Sequence, residues 1–193
     1  MMHDRGFAGA SAHRESLAQG SARDASNWRR GAEGERSVGS VLEDLVVAGV
    51  RVAHDRRIPA SLANIDHIAV CSTGVYVIDT KNYGGHPRVE TIGGGSATAQ
   101  RLYVGRDDRS ELAYGVRRQV GVVRVTLAGD DIPVRGVLCF VGASWEVLNG
   151  YVVAGVAVTS PERLADLLTI AGPYEQTRVD AIHRRLLDAL DPA

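Results

Sequence analysis

The stretch Asn64-Ile65-Asp66-His67-Ile68-Ala69-Val70, joined through Cys71-Ser72-Thr73-Gly74 to Val75-Tyr76-Val77-Ile78-Asp79-Thr80-Lys81, decides how this chain folds. Residues 65–70 and 75–79 are rich in β-branched and aromatic side chains and are separated by Ser-Thr-Gly, the pattern of a β-hairpin. Side chains alternate along a strand, so Asp79 and Lys81 point to one face. Opposed residues of an antiparallel pair share a face, so register decides whether Asp66 joins them. A two-residue turn at Thr73-Gly74 places Asp66 opposite Lys81 and Ile68 opposite Asp79. A register shifted by two residues, with a four-residue turn, keeps Asp66 on the same face. A shift by one sends it to the far face.

Asp66 lies inside an apolar strand and Asp79 and Lys81 follow another, where charge is costly unless it is paired or binds a metal. Two carboxylates on adjacent strands beside an ammonium can hold Mg²⁺ through oxygen ligands, and the ammonium can orient a water or stabilise phosphoryl charge. That is the equipment of phosphodiester hydrolysis. A purely structural ion cluster is the alternative, opposed by the cost of burying a carboxylate pair without a cation. Of the 22 basic residues, 21 are Arg and one, Lys81, is Lys. A compact ammonium reaches a single oxygen in a way the planar guanidinium fork does not replace.

Outward from the hairpin, Val38, Val41, Leu42 and Leu45 recur at helical spacing within residues 32–48, and Gly49 is a natural stop. Residues 50–55 read as a short strand followed by a loop through Pro59, and 82–85 as a loop. Residues 88–92 and 101–105 suit a further hairpin around Gly93-Gly94-Gly95, where the lack of a lysine excludes a phosphate-binding loop. Residues 110–127 read as a second long helix with Leu112, Val116, Val120, Val123 and Leu127 on one face. Residues 134–141 and 151–159 read as two buried strands. Ser160-Pro161 opens a short helix, and residues 176–190 form a last amphipathic one. Residues 1–27 show no sustained apolar period and read as a mobile tail, with the folded domain at 28–193.

The ordered set Gly31-Ala32-Glu33-Gly34-Glu35-Arg36, His54-Asp55-Arg56, 64–70 and 75–83 resembles the nuclease-related domain (NERD) family within the PD-(D/E)XK nuclease superfamily. The resemblance covers roughly residues 28–141. It implies a mixed α/β fold with a restriction-endonuclease-like αβββαβ core, a mixed central sheet flanked by helices, and an added C-terminal strand and helices. It also implies a Mg²⁺-dependent nuclease, with Mn²⁺ as a possible substitute, acting on nucleic acid, with DNA the expected partner. Asp66 and Asp79 would be metal ligands, Lys81 the catalytic lysine, and the Thr80 carbonyl and Glu35, the first-helix glutamate, further candidate ligands. Gln119 resembles the glutamine after the catalytic strand in some relatives, although the tyrosine four residues later in those relatives is Val123 here. A catalytically silent domain that keeps the fold and binds nucleic acid or protein is the alternative.

His67 points away from Asp66 and reads as structural, and Arg56-Arg57 and Arg117-Arg118 read as solvated faces. The net charge of −1 argues against a basic clamp along the whole chain. Cys71 and Cys139 sit in apolar runs and read as buried free thiols. The chain has no membrane-length apolar run and no signal-peptide pattern, so a cytoplasmic protein is expected. Gly-x-Ser-x-Gly and His-Glu-x-x-His motifs are missing, which removes the common serine-hydrolase and zinc-protease readings.

Overall fold

The computed structural model describes residues 6, 8, 22–93, 99–146 and 150–193. In chain order these form α1 (Ala22–Asp44), a 3₁₀ turn (Leu45–Ala48), β1 (Arg51–Arg57), β2 (Asn64–Cys71), β3 (Gly74–Gly85), β4 (Pro87–Ile92), β5 (Ala99–Val104), β6 (Asp107–Asp108), α2 (Ser110–Thr126), β7 (Val134–Ala143), β8 (Tyr151–Val153), β9 (Val156–Thr159), α3 (Pro161–Leu168) and α4 (Gln176–Ala189). The main sheet has the order β1-β2-β3-β7-β9-β8, and β4-β5-β6 form a second, small sheet. β3 runs parallel to β7 and β7 to β9, while the other pairs are antiparallel, so the sheet is mixed as expected.

Each face of the sheet carries its own core. Val38 and Leu42 of α1 and Leu164 and Leu168 of α3 pack on Ala69, Tyr76, Ile78, Val137 and Cys139. On the other face Val116, Val120 and Val123 of α2 and Val179, Ile182 and Leu186 of α4 pack on Ile68, Val70, Val75, Val77 and Leu138. Alternation along β2, β3 and β7 sorts these side chains, since successive residues must face opposite layers. Two glycines set how closely the long helices approach. A Cβ on Gly136 of β7 would lie 2.7 Å from Val116, and one on Gly34 of α1 would lie 3.0 Å from the Asn82 side chain. A side chain at Gly136 would force Val116 to shift, and one at Gly34 would press on Asn82.

The hairpin takes the second of the two registers that keep Asp66 on the face of Asp79 and Lys81, but with a two-residue turn rather than a four-residue one. His67 pairs with Ile78 and Ile68 with Val77, and Cys71 faces Gly74, so the turn is Ser72-Thr73. The next step of this register sets Asp66 across from Asp79 rather than Lys81. Gly74, at φ +126°, belongs to the strand, and hydroxyl contacts hold the turn, Thr73 Oγ1 lying 3.2 Å from Cys71 Sγ and 2.9 Å from Tyr76 OH.

Other boundaries also move. β3 continues to Gly85 through residues expected to loop, because parallel pairing with β7 satisfies its backbone as far as Asn82 and again at Gly85. The single strand expected at 151–159 is a hairpin turning at Ala154-Gly155, both with positive φ (51° and 77°). Helix α1 starts at Ala22, ahead of the expected domain start at Trp28. Of the expected mobile tail, residues 1–5, 7 and 9–21 lie outside the described residues, as do Gly94 and Gly95, while Ala8 is buried against Gly39. Both cysteines are free and buried. Among the described residues no helix is long and apolar enough to cross a membrane.

Candidate active site

Asp79 and Lys81 leave β3 on the face covered by α2. Their side chains form an ion pair, Lys81 Nζ to Asp79 Oδ2, at 2.6 Å. Lys81 Nζ also donates to the Thr80 carbonyl at 3.2 Å, so that candidate metal ligand already carries a hydrogen bond. From β2, Asp66 Oδ2 accepts the Thr80 backbone N–H at 2.8 Å, where the ladder between the two strands has ended. A carboxylate thus takes over the place of a strand partner. Gln119 of α2 reaches the other Asp79 oxygen, donating from Nε2 to Oδ1 at 3.4 Å. The close seat of α2 on Gly136 brings it there.

Glu35 arrives from α1, one turn before buried Val38, with Oε2 buried and lacking a hydrogen-bond partner. Burial, and then the charges of Asp66 and Asp55, push its carboxyl up to about 8. Asp66 is pushed up to about 7 by burial and by Asp79, against the lowering influence of Lys81 and the Thr80 N–H. Burial alone would lower the Lys81 ammonium, but the Asp79 and Asp66 carboxylates overrule it and hold it above the ordinary lysine value. Asp79, Lys81 and Gln119 are therefore in direct contact, Asp66 is tied to the same strand through the Thr80 N–H, and Glu35 lies near enough to feel the charges of Asp66, Asp79 and Lys81.

Asp55 was given no role by the sequence. It lies between the pairs His54–His67 and Arg56–Ile65, hence across from Asp66, with φ +51°, and accepts from Asn64 Nδ2 at 2.5 Å. It is 2% exposed. Its signal was a carboxylate in the middle of a strand, partly masked by its charged neighbours. Arg56 corrects another expectation. It is buried, not solvated, and donates to the Leu190 carbonyl at 3.1 Å. Arg57, Arg117 and Arg118 are exposed as expected. His67 is fully buried on the opposite face, its Nδ1 2.8 Å from that of His54.

A family model described as nuclease-related domain matches residues 30–141, more than half of the chain. The chain belongs to the nuclease-related domain family. No curated protein and no solved structure matches it. The family segment ends within β7, so it contains Glu35, Asp55, Asp66, Asp79, Lys81 and Gln119, while β8, β9, α3 and α4 lie beyond it.

The donor chemistry of this NERD site suits a hard divalent cation. Its acids are all carboxylates, one buried Glu35 oxygen has no partner, and their mutual repulsion is of the kind a bound cation relieves. The acids are not drawn into a preformed cage. Among the described residues no three His, Cys, Asp or Glu side chains are grouped to hold a metal. Beside Lys81 opens a cleft of about 470 Å³ lined by Asn27, Trp28, Arg30, Gly31, Glu35, Thr80, Lys81, Asn82, Tyr83 and Arg109. The aromatic and arginine members of that wall were not singled out from the sequence, because they come from three separate segments.

Proposed function

We propose that this NERD domain hydrolyses phosphodiester bonds in nucleic acid, DNA first among the candidates, with a divalent cation, Mg²⁺ or Mn²⁺. The observation that carries the reading is the lone lysine of the chain, held 2.6 Å from Asp79 on the hairpin face that also presents Asp66. Asp66 and Asp79 would hold the cation, with Glu35 and the Thr80 carbonyl as further oxygen donors. When bound, such an ion supplies a Lewis acid and lowers the pKa of a water. Lys81 contributes a point charge fixed by Asp79 and the Thr80 carbonyl, placed at the cleft wall to stabilise charge on a phosphoryl oxygen or to orient the attacking water. Gln119 restrains the Asp79 carboxylate by holding its second oxygen.

The test is incubation of the purified chain with labelled single- and double-stranded DNA and RNA in Mg²⁺, Mn²⁺ or EDTA. Metal-dependent cleavage that disappears in Asp79→Asn supports the reading. Cleavage that survives both EDTA and that substitution removes it. The acids' lack of a preformed cage favours a second reading, a silent domain that binds nucleic acid or protein without hydrolysis. That reading predicts no cleavage and no Mg²⁺-induced rise in thermal midpoint.

A further inference from the structure

Two residues beyond Lys81 on the same strand face stands Tyr83, and the cleft changes character around it. Its ring is backed by Phe140, with centroids 6.0 Å apart, and carries the Arg109 guanidinium 5.2 Å from its centroid. Across the cleft, α1 contributes Trp28 and the exposed Arg30. Asn82 ties that helix to β3 by donating to the Arg30 carbonyl at 3.0 Å. Two aromatic rings, two guanidinium groups and Lys81 therefore line one opening.

The net charge is −1, so the chain as a whole carries no excess of cations. A protein that grips duplex through its phosphates needs many cations along one face. Aromatic faces recognise something else, the flat surface of a base, and in a duplex that surface is covered by neighbouring bases. The cleft volume of about 470 Å³ is that of a site for nucleotide-sized groups.

We infer that the cleft beside Lys81 binds unpaired nucleotides, with a base stacked on Trp28, Tyr83 seating the Arg109 guanidinium, and phosphates held by Arg30 and Arg109, so that the substrate class is single-stranded nucleic acid or a frayed end. This rests on the hydrolytic reading of Lys81 and its acids for the step that follows binding. DNA and RNA share the base faces and phosphates that the cleft uses.

Binding is measured in EDTA, so that it stands apart from cleavage. The Trp145→Phe variant leaves Trp28 as the only tryptophan of the chain. Its fluorescence is titrated with single-stranded DNA, single-stranded RNA and blunt duplex of one length. The expected result is quenching by a single strand, with affinity at least about tenfold above that for duplex. The DNA and RNA arms show which sugar is preferred, and tight binding in either supports the inference. In the parent chain Trp28→Ala should weaken single-strand binding by about tenfold or more, while Trp28→Phe keeps it. Tyr83→Ala should also weaken it, by unseating Arg109. Arg30→Gln and Arg109→Gln should each flatten the salt dependence by about 0.7 in log–log slope. Equal affinity for duplex, or saturation without quenching, overturns the inference. Duplex cleavage with no quenching would overturn it and leave hydrolysis standing. Quenching by single strands with no cleavage in any metal would support it and overturn hydrolysis.

Discussion

The β2–β3 hairpin carries a polar cluster on each face, and the two are finished differently. On one face Asp66, Asp79 and Lys81 meet Glu35 and Gln119 beside an open cleft. On the other, His67 meets His54 through their Nδ1 atoms at 2.8 Å, and His54 Nε2 lies 3.0 Å from Glu43 Oε1. The second cluster also leaves one buried atom, His67 Nε2, without a partner, but it gathers no surplus of like charge. His54 Nε2–H can donate to Glu43, and between the two Nδ1 atoms one ring donates and the other accepts. Burial and then the charge of His54 hold His67 well below its ordinary value, which keeps the His67 ring neutral. The first cluster differs in its charge. Burial and like charge raise Glu35 and Asp66 towards neutrality, and a Glu35 oxygen is left without a partner. It is the surplus of like charge facing an opening, more than the unpartnered atom that both clusters share, that suits the first cluster to a ligand.

Substitutions that keep the fold but change the acid cluster should break this contrast most sharply. Lys81→Arg keeps the charge and loses the compact ammonium, and should lower metal-dependent cleavage by about 10²-fold or more. Its thermal midpoint should stay within a few degrees of the parent. Asp79→Asn should abolish cleavage together with the Mg²⁺-induced rise in midpoint. Parallel cleavage assays and melting curves check both. Parent-like cleavage in both variants would place the chemistry elsewhere.

The two faces should also answer pH with opposite signs. In EDTA, Glu35 and Asp66 titrate higher folded than unfolded, from 4.5 to about 8 and from 3.8 to about 7. Their contribution to stability is therefore complete below the unfolded values and lost as pH rises through the folded ones. Glu35→Gln should flatten that decline, raising the midpoint at pH 8 by about 2–4 °C, with little change near pH 4, where the parent carboxyl is largely protonated in both states. An unchanged alkaline decline would mean that the buried charge of Glu35 does not cost stability.

His67 titrates lower folded than unfolded, so its contribution is complete above its ordinary value of 6.5 and is lost as pH falls below it. His67→Gln should lessen the fall in midpoint between about pH 6.5 and 5, and leave the cleavage rate within about twofold of the parent. Loss of cleavage without loss of stability would make this cluster part of the chemistry.

The smallest effect belongs to Gln119→Ala. Its hydrogen bond to Asp79 is 3.4 Å long and Asp79 keeps Lys81, so cleavage should fall by less than about tenfold, with affinity for Mg²⁺ the more sensitive readout. A loss as large as that of Lys81→Arg would make Gln119 a principal member of the site.

How far the site could be read in advance depended on distance along the chain. Asp79, Thr80 and Lys81 are consecutive, and strand alternation alone places the first and third together. Asp66 follows from the hairpin, yet its partner does not. The glycine signal at Thr73-Gly74 pointed to one turn, and the hydroxyl contacts of Thr73 made another. Arg56 looked solvated because its neighbour Arg57 is, and only the path of α4 and the chain after it along β1 shows why it is buried.

By itself the sequence determined the order of the principal helices and of the first strands, the face shared by Asp79 and Lys81, and the presence of one lysine among many arginines. Those are matters of period and residue type, which local sterics and hydrophobic burial enforce over a few residues. Tertiary structure alone decided that Asp55 stands across from Asp66, that Glu35 comes close enough for its carboxyl to be raised, and that Trp28, Tyr83 and Arg109 share a cleft. These depend on strand register and on how closely α1 and α2 approach the sheet. Both are set by packing between segments far apart in the chain, which no local pattern records.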